Sequence, residues 1–378
     1  MTKNKTIIPM GWKNEKLGNT MKLEYGFSLS DKWRIPGPYP VYGSSGVVAH
    51  HANKRVNGPG IVVGRKGTIG SVAWSHQDYW PIDTTYFVVT TPNYDLKWFY
   101  FELQFLKLNK LNTASGVPGL NREEVHKLTI LIPPKKEQEK IAEVLSAVDE
   151  DIEKTDAVIA KTEKLKQGLM QELLGKSVGY RKEKLKNLLQ SIIDHRGLTP
   201  KKLGGQWNIS GIQTISAMNI KNGQIVKPEE IRFIDVELYK KWMSEELCEN
   251  DVLLTSEAPL GEMYLIKKEE KYCLSQRLFG LRTDAKKIFG EYLFWFLSSP
   301  MGQKNLLERA TGSTAKGIRQ SELLKVEIDF PDLNGQREVS SIFSSLEEKI
   351  SITQKNKEKL IQLKKGLMAD LLSGKVRV

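Results

Sequence analysis

Two segments of this chain are written twice and in the same order. Gly11-Trp12-Lys13-Asn14-Glu15-Lys16-Leu17 returns as Gly179-Tyr180-Arg181-Lys182-Glu183-Lys184-Leu185, and Leu165-Lys166-Gln167-Gly168-Leu169-Met170 returns as Leu363-Lys364-Lys365-Gly366-Leu367-Met368. A third stretch, 128–142 with Pro133, Gln138 and Ile141, matches 326–340 with Pro331, Gln336 and Val339. The offset is 198 residues for the two later matches and 168 for the first, so the second copy carries about 30 extra residues ahead of its helical end. A repeat of this kind means two related modules in one chain, and it constrains the fold more than any lone motif.

Each copy is long enough to bury its own core, since 378 residues correspond to about two to three domains. Charged residues make up 27% and the hydrophobic set 40%, an ordinary globular balance. No apolar run approaches the roughly 20 residues that span a bilayer, so no membrane partner is expected. Pro9 interrupts the N-terminal apolar stretch too early for a signal peptide, and the expected location is the cytoplasm. Cys248 and Cys273 stand alone, without a Cys-x-x-Cys or a His at ligand spacing. They read as buried small hydrophobes, and no metal is expected. The net charge is +12, with an excess of seven positive side chains in residues 1–134 and of three in 177–333. That distribution favours a polyanionic partner such as nucleic acid.

Within each copy the first part is built of short β-type runs broken by Gly, Pro and Asn. They fall at 60–64, 71–74 and 85–90, and in the second copy at 251–255, 262–266 and 277–281. A helical segment follows in each, near 95–109 and 290–307, crowded with aromatics such as Trp98, Phe99, Trp295 and Phe296, which read as core. The second part is different in kind. From Ile141 to Leu173, and from Val339 to Leu371, apolar residues recur in alternating steps of four and three, the pattern of helices that bury a seam against each other. Pro133-Pro134 and Pro331 fix the helix starts, and Gly175 and Gly374 suit their ends. At ~1.5 Å per residue, an arm of about 40 residues is roughly 60 Å long. Chain order makes the arms antiparallel and brings the C-terminal tail near the start of the first head.

Boundaries follow at 1–134 for the first head, 135–176 for the first helix, 177–332 for the second head and 333–378 for the second helix. The expected fold class is α/β (mixed α+β), with two globular heads separated by a long antiparallel two-helix coiled coil in a pseudo-twofold internal repeat. Two heads on a stiff spacer suit a split DNA sequence, because half-sites one helical turn apart lie roughly 34–36 Å from each other. Removing residues from both arms in step should then shorten the unread gap and leave the half-sites unchanged.

Along essentially its whole length the chain resembles the specificity subunits of type I restriction-modification systems. The residues that carry the resemblance are the paired arm endings at 165–176 and 363–375, Ile132-Pro133-Pro134 with Glu137-Gln138, Tyr39 to Gly46, and Gly58-Pro59-Gly60 with Gly64-Arg65-Lys66-Gly67. The resemblance implies two target recognition domains, each reading one half of a bipartite site in double-stranded DNA. It also implies that the helices recruit methylation subunits, two in number, and through them restriction subunits. Consistent with a non-catalytic subunit, the sequence holds no P-loop, since the Lys in Gly64-Arg65-Lys66-Gly67-Thr68-Ile69-Gly70 precedes the wrong glycine. It holds no methyltransferase glycine loop either, and no cofactor is expected. A loose nuclease pattern at Pro331-Asp332 with Glu347-Glu348-Lys349 is rejected, because the acids lie far along an arm helix.

If shared positions are scaffold and divergent ones encode two half-sites, the candidates are basic, amide and hydroxyl side chains in loops. In the first head these are Tyr42, Ser44 and Ser45 of one turn, the pair Arg65-Lys66, and Thr113 and Ser115 with Arg122. In the second they are Arg196, Gln276 and Arg277, and the loop holding Thr311, Ser313, Thr314, Lys316 and Arg319. Small hydroxyls beside Gly116 and Gly312 suit phosphate. Arg277 has many carboxylates nearby that could pair with it instead, and His50-His51 reads as a polar loop. Val144, Val158, Ile342 and Ile361 on the arms are candidates for docking the methylation subunits. Seam residues Thr155, Thr162, Lys166, Thr353, Lys357 and Lys364 should weaken an isolated coil, so they either fix its register or face a groove that another protein fills. Two other readings are an adaptor whose coiled coil tethers two protein-binding heads, and a stand-alone nuclease or methyltransferase with an unrecognised site.

Overall fold

The computed structural model describes residues 8–111, 119–175, 179–312 and 316–378. They form two compact units: the chain up to Ala157 together with Gln354–Val378, and Val158–Thr353.

The first unit begins with β1 (Lys13–Lys16), β2 (Met21–Tyr25), β3 (Tyr39–Gly43), β4 (Gly46–His51), β5 (Gly60–Gly64), β6 (Val72–Ser75), β7 (Trp80–Pro81) and β8 (Thr85–Thr90). Helices α1 (Leu96–Phe105) and α2 (Arg122–His126), β9 (Thr129–Ile132) and the long α3 (Lys135–Leu173) follow. The main sheet is antiparallel in the order β2-β8-β5-β6; a smaller one runs β4-β3-β7 with β3 and β7 parallel, and β1 pairs with β9. Ile61, Val62 and Val63 make β5 buried throughout, as expected for a β-branched run in a sheet covered on both faces. Helix α1, capped by the Asp95 carboxylate on the Trp98 N–H, lays Trp98, Phe99, Phe101 and Leu103 into the core, so its aromatics are packing residues.

The second unit repeats this plan. Its strands are β10 (Arg181–Lys184), β11 (Leu189–Ile193), β12 (Ile212–Ile215), β13 (Ile220–Lys221), β14 (Gln224–Ile225) and β15 (Arg232–Ile234), then, after α4 (Val236–Trp242), β16 (Val252–Thr255), β17 (Met263–Leu265), β18 (Tyr272–Leu274) and β19 (Leu278–Thr283). Helices α5 (Gly290–Ser298), α6 (Pro300–Glu308) and α7 (Gln320–Leu323), β20 (Glu327–Phe330) and α8 (Leu333–Leu371) complete it. The orders β11-β19-β16-β17, β15-β12-β18 with β12 and β18 parallel, and β10-β20 reproduce the first unit strand for strand. The sequence repeat therefore extends through the heads, where side chains have diverged. Much of the extra length sits in the smaller sheet. A two-residue turn joins β3 to β4, whereas 216–231 with the β13-β14 hairpin joins β12 to β15, and α4 is inserted before β16.

Both long helices start just after their prolines. Each is tied to its head by one buried glutamine. Gln138 accepts the Asp95 N–H and donates to the Pro133 carbonyl, while Gln336 accepts the Phe289 N–H and donates to the Pro331 and Lys287 carbonyls. In the first unit the start of α3 and the end of α8 run antiparallel, with Asp149 on Lys364 at 2.6 Å and Asp156 on Lys357 at 2.5 Å. In the second unit Met170 and Leu174 meet Val339 and Phe343 in one core, and Lys166 pairs with Glu347. Lys166, Lys357 and Lys364 thus each meet an acid of the facing helix. Thr155, Thr162 and Thr353 turn their hydroxyls back onto the carbonyl four residues earlier, which satisfies the hydroxyls within their own helices. The tail returns as expected within the first unit, where Arg377 bonds Glu137 and the Met10 carbonyl, and the Trp12 indole also donates to Glu137.

Two expectations need correction. Cys273 is buried, with its thiol pushed up to about 12 by desolvation, but Cys248 is exposed in the loop before β16. Tyr42 is a core side chain. It packs on Val62 and Tyr79 and donates its hydroxyl to the Trp74 carbonyl, because β3 is covered on both faces, with Val41 packed on one side and Tyr42 on the other.

Candidate nucleic-acid interface

In each unit the candidate residues gather at one end of the main sheet, where the chain leaves β2 and β5 and enters β8, or leaves β11 and β16 and enters β19. In the first head Arg65 is the residue after β5. Its N–H bonds the Thr84 carbonyl and its carbonyl accepts the Leu120 N–H, so the backbone is clamped from both sides. The guanidinium lies 5.1 Å from the ring centre of Tyr25 and 6.0 Å from that of Tyr86, and its Nε is buried without a hydrogen-bond partner. Arg122, the first residue of α2, lies 4.8 Å from the same Tyr25 ring and 3.3 and 3.7 Å from the carboxylates of Glu123 and Glu24. Lys66 is exposed beside them. The β3–β4 turn reaches the same place: the Ser71 hydroxyl donates to the Ser44 carbonyl, and a Cβ on Gly67 would come within 3.1 Å of the Ser44 Oγ. Gly67 has φ +75°, a conformation that favours glycine, and a side chain there would also press on Ser44. Ser45 is exposed at the tip. Thr113 and Ser115 lie outside the described residues.

The second head assembles a corresponding group from different residues. Arg196 lies 4.1 Å over the Phe279 ring and is held bidentately by Asp194, through Nε at 2.8 Å and Nη2 at 2.7 Å. Burial alone would raise the Asp194 carboxyl, but the hydrogen bonds and charge of Arg196 outweigh it and hold the group below its ordinary value. Arg277, at φ +65°, pairs with Glu257 at 3.0 Å, as its many neighbouring acids suggested, and Gln276 is exposed beside it. The 311–319 loop is stitched to this end of the sheet by Thr311 and Gly317 bonding each other and by the Ile318 N–H on the Ser256 carbonyl. Thr311, Lys316 and Arg319 are exposed on that loop, while Ser313 and Thr314 lie outside the described residues. The structure thus brings together Ser44, Arg65, Lys66 and Arg122 in one head, and Arg196, Gln276, Arg277, Thr311, Lys316 and Arg319 in the other.

A sequence model of the type I restriction modification DNA specificity domain matches residues 9–161 and again 178–362. The chain belongs to this family. Among curated DNA specificity proteins it is 27% identical over 301 residues to the type I restriction enzyme MjaVIII specificity subunit of Methanocaldococcus jannaschii, spanning 75% of this chain and 71% of that protein. The putative MjaX specificity subunit of the same organism is 26% identical over 274 residues, spanning 70% of this chain and 63% of that protein. The fold is similar to the crystal structure of a type I restriction-modification system S subunit from M. genitalium, with a TM-score of 0.70 at 16% identity over 98% of both chains.

Within this DNA specificity chain, strand register equates positions that sequence comparison could not align. Gly64 faces Thr85 as Thr255 faces Leu278, so Tyr86 corresponds to Phe279, Arg65 to Ser256 and Thr84 to Arg277. Tyr25, 47% exposed, escaped the sequence reading because an aromatic at a strand end looks like core. So did a second shared element: Trp33-Arg34-Ile35-Pro36-Gly37 and Trp207-Asn208-Ile209-Ser210-Gly211 both precede the first strand of the smaller sheet. Their Trp and Ile side chains are exposed in each head, Ile209 almost completely. Each closing glycine lets backbone pass within 2.3–2.4 Å of where a Cβ would stand.

On the long helices Val158 and Ile342 are exposed, whereas Val144 is half-buried against the first head's core and Ile361 is half-buried. Leu165 and Leu363, the first residues of the repeated arm motif, are each about half exposed, and a Cβ on Gly168 or Gly366 would meet nothing within 4 Å. Among the described residues no group of three or more His, Cys, Asp or Glu could hold a metal ion, and no helix is long and apolar enough to cross a membrane. Asp332 caps the Gly335 N–H and Glu347 pairs with Lys166, so neither acid of the rejected nuclease pattern is free.

Proposed function

We propose that this chain is the DNA-recognition subunit of a type I restriction-modification complex, in which each head reads one half of a bipartite target in double-stranded DNA. The observation that carries this reading is one strand plan used twice, with the same sheet end displaying different basic, amide and hydroxyl side chains in each copy. A duplicated scaffold with divergent contact loops suits two different half-sites. The target recognition domains are 1–134 and 177–332, and the coiled-coil helices are 135–176 and 333–378. Ser44, Ser45, Arg65, Lys66, Arg122, Arg196, Gln276, Arg277, Thr311, Lys316 and Arg319 form the DNA surface. Tyr42 contributes packing.

The chain supplies recognition, and methylation and restriction belong to partner subunits. The arm repeat supports two methylation subunits, because it gives equivalent apolar positions once in each unit: half-buried Val144 and exposed Leu363 in the first, exposed Ile342 and Leu165 in the second. Two like patches take two like partners. The test is to co-express the chain with its methylation subunit and map methylated adenines across the host genome. A bipartite motif that disappears when the chain is omitted is the expected result. A stable complex that methylates nothing would favour an adaptor, and modification without partners would favour a self-contained enzyme.

A further inference from the structure

The end of the main sheet holds a guanidinium over an aromatic ring in both heads, but by opposite means. Tyr25 is the last residue of β2 and faces Tyr86 of β8, with ring centres 5.2 Å apart. In the second head Ser191 faces Arg282 and Ile193 faces Gly280; one step further places Asp194 opposite Phe279, the counterpart of Tyr86. Asp194 therefore occupies the place of Tyr25. In the second head that carboxylate fills the Nε and Nη2 edge of Arg196. In the first head no carboxylate pairs with Arg65 among the described residues, and the ring of Tyr25 supports the guanidinium instead. With its Nε buried, the Arg65 guanidinium held by the ring keeps the N–H donors of both Nη groups unpaired by any carboxylate, whereas Arg196 has given its Nε and Nη2 edge to Asp194.

Resting on the function proposed above, we propose that Arg65 reads a guanine in the half-site of the first head, with Tyr25 as its positioning residue, and that Arg196 does not read guanine this way in the second. The two Nη groups of Arg65 would donate to N7 and O6 of the guanine edge in the major groove, a pairing that lysine cannot reproduce bidentately. The clamped backbone of Arg65, bonded to Thr84 and Leu120, fixes where the side chain begins, and the Tyr25 ring fixes where it points. Tyr86 is committed through its hydroxyl to the Leu120 carbonyl and so stabilises the same corner. Arg122 shares the Tyr25 ring but lies near Glu24 and Glu123, which suits it to holding the corner together more than to chelating a base. Ser256 and Gln320 stand where Arg65 and Arg122 do, so the second head has neither.

The experiment compares wild type with Arg65→Lys, Tyr25→Leu, Tyr25→Phe and Arg196→Lys, each in the complete complex with its methylation subunits, by mapping methylated adenines in host DNA. The expected result is a wild-type motif with a guanine in one half that Arg65→Lys relaxes. Methylation of sites with another base there rises, so that discrimination falls by about 5- to 150-fold. Tyr25→Leu relaxes the same position, Tyr25→Phe retains discrimination because the ring remains, and Arg196→Lys leaves that position strict. The proposal is overturned if Arg65→Lys methylates as before with an unchanged motif, if it lowers methylation at every site equally, or if Tyr25→Phe relaxes the motif as fully as Tyr25→Leu. Should Tyr25→Leu fail to assemble, Arg65→Lys and Tyr25→Phe still decide. A wild-type complex with no bipartite motif would instead refute the underlying function.

Discussion

Glu102 offers the sharpest physical test of the first head. It lies on α1 among Trp98, Phe99 and Phe101, is 4% exposed, and its Oε2 has no hydrogen-bond partner. Desolvation pushes the carboxyl from its ordinary 4.5 up to about 8. The helix anchors give its counterpart: Asp95 and Phe289 donate to Gln138 and Gln336, so seven residues on, Glu102 matches Phe296, an apolar core residue. Below pH 4.5 the group is protonated in both the folded and the unfolded chain and has no effect on stability. Between 4.5 and about 8 only the unfolded chain releases the proton, so stability falls by about 1.4 kcal/mol per pH unit. Across the window the loss is on the order of 3–5 kcal/mol, and it is complete above the folded value. Glu102→Gln cannot ionise and removes this loss. Urea denaturation of wild type and variant at about pH 5 and about pH 8.5 cancels the other titrating groups in the difference between the two proteins. The variant is expected to match wild type within about 1 kcal/mol at the lower pH and to exceed it by several at the higher. Equal separation of the two proteins at both pH values would refute the account of an unpaired buried carboxyl.

Other expectations concern both copies. Gln138→Ala and Gln336→Ala each strand a part-buried backbone N–H and at least one carbonyl, and should destabilise their own unit by about 1–3 kcal/mol, read as loss of midpoint in urea. Gly168→Ala and Gly366→Ala add a methyl group into open space on a helix and should stabilise the free chain by about 0.5–1 kcal/mol. If the methylation subunits approach these glycines closely, the same variants co-purify with less partner. Asp194→Asn removes a negative charge and frees the fork of Arg196, so the assembled complex should bind duplex DNA with a log–log salt dependence steeper by up to about one, measured by fluorescence anisotropy.

The legible part of the site was chemical type, and the illegible part was company. Arg65, Arg122, Arg196 and Arg277 could be chosen because basic residues in Gly-rich loops rarely serve a core. That Arg65 and Arg122, 57 residues apart, share one tyrosine ring follows only from β2, β5 and α2 meeting at a sheet end. Tyr42 looked like a turn residue from its neighbours Gly43 and Ser44, yet tertiary packing covers both faces of β3 and buries it. Cys248 was misjudged for the same reason: burial of a single residue in a loop is set by what packs over the loop.

By itself the sequence determined the duplication, the two long helices that follow Pro134 and Pro331, and the spacing at which their apolar residues recur. These are local or periodic properties: proline excludes itself from a helix interior, and a spacing of three and four puts apolar groups on one face, whatever the remainder of the chain does. Only the tertiary structure decided that the heads share one strand plan, that Asp194 stands where Tyr25 stands, and that Glu102 is sealed among aromatics. Those facts depend on pairing between residues distant in the chain, where backbone hydrogen bonding preserves the register while side chains are free to differ.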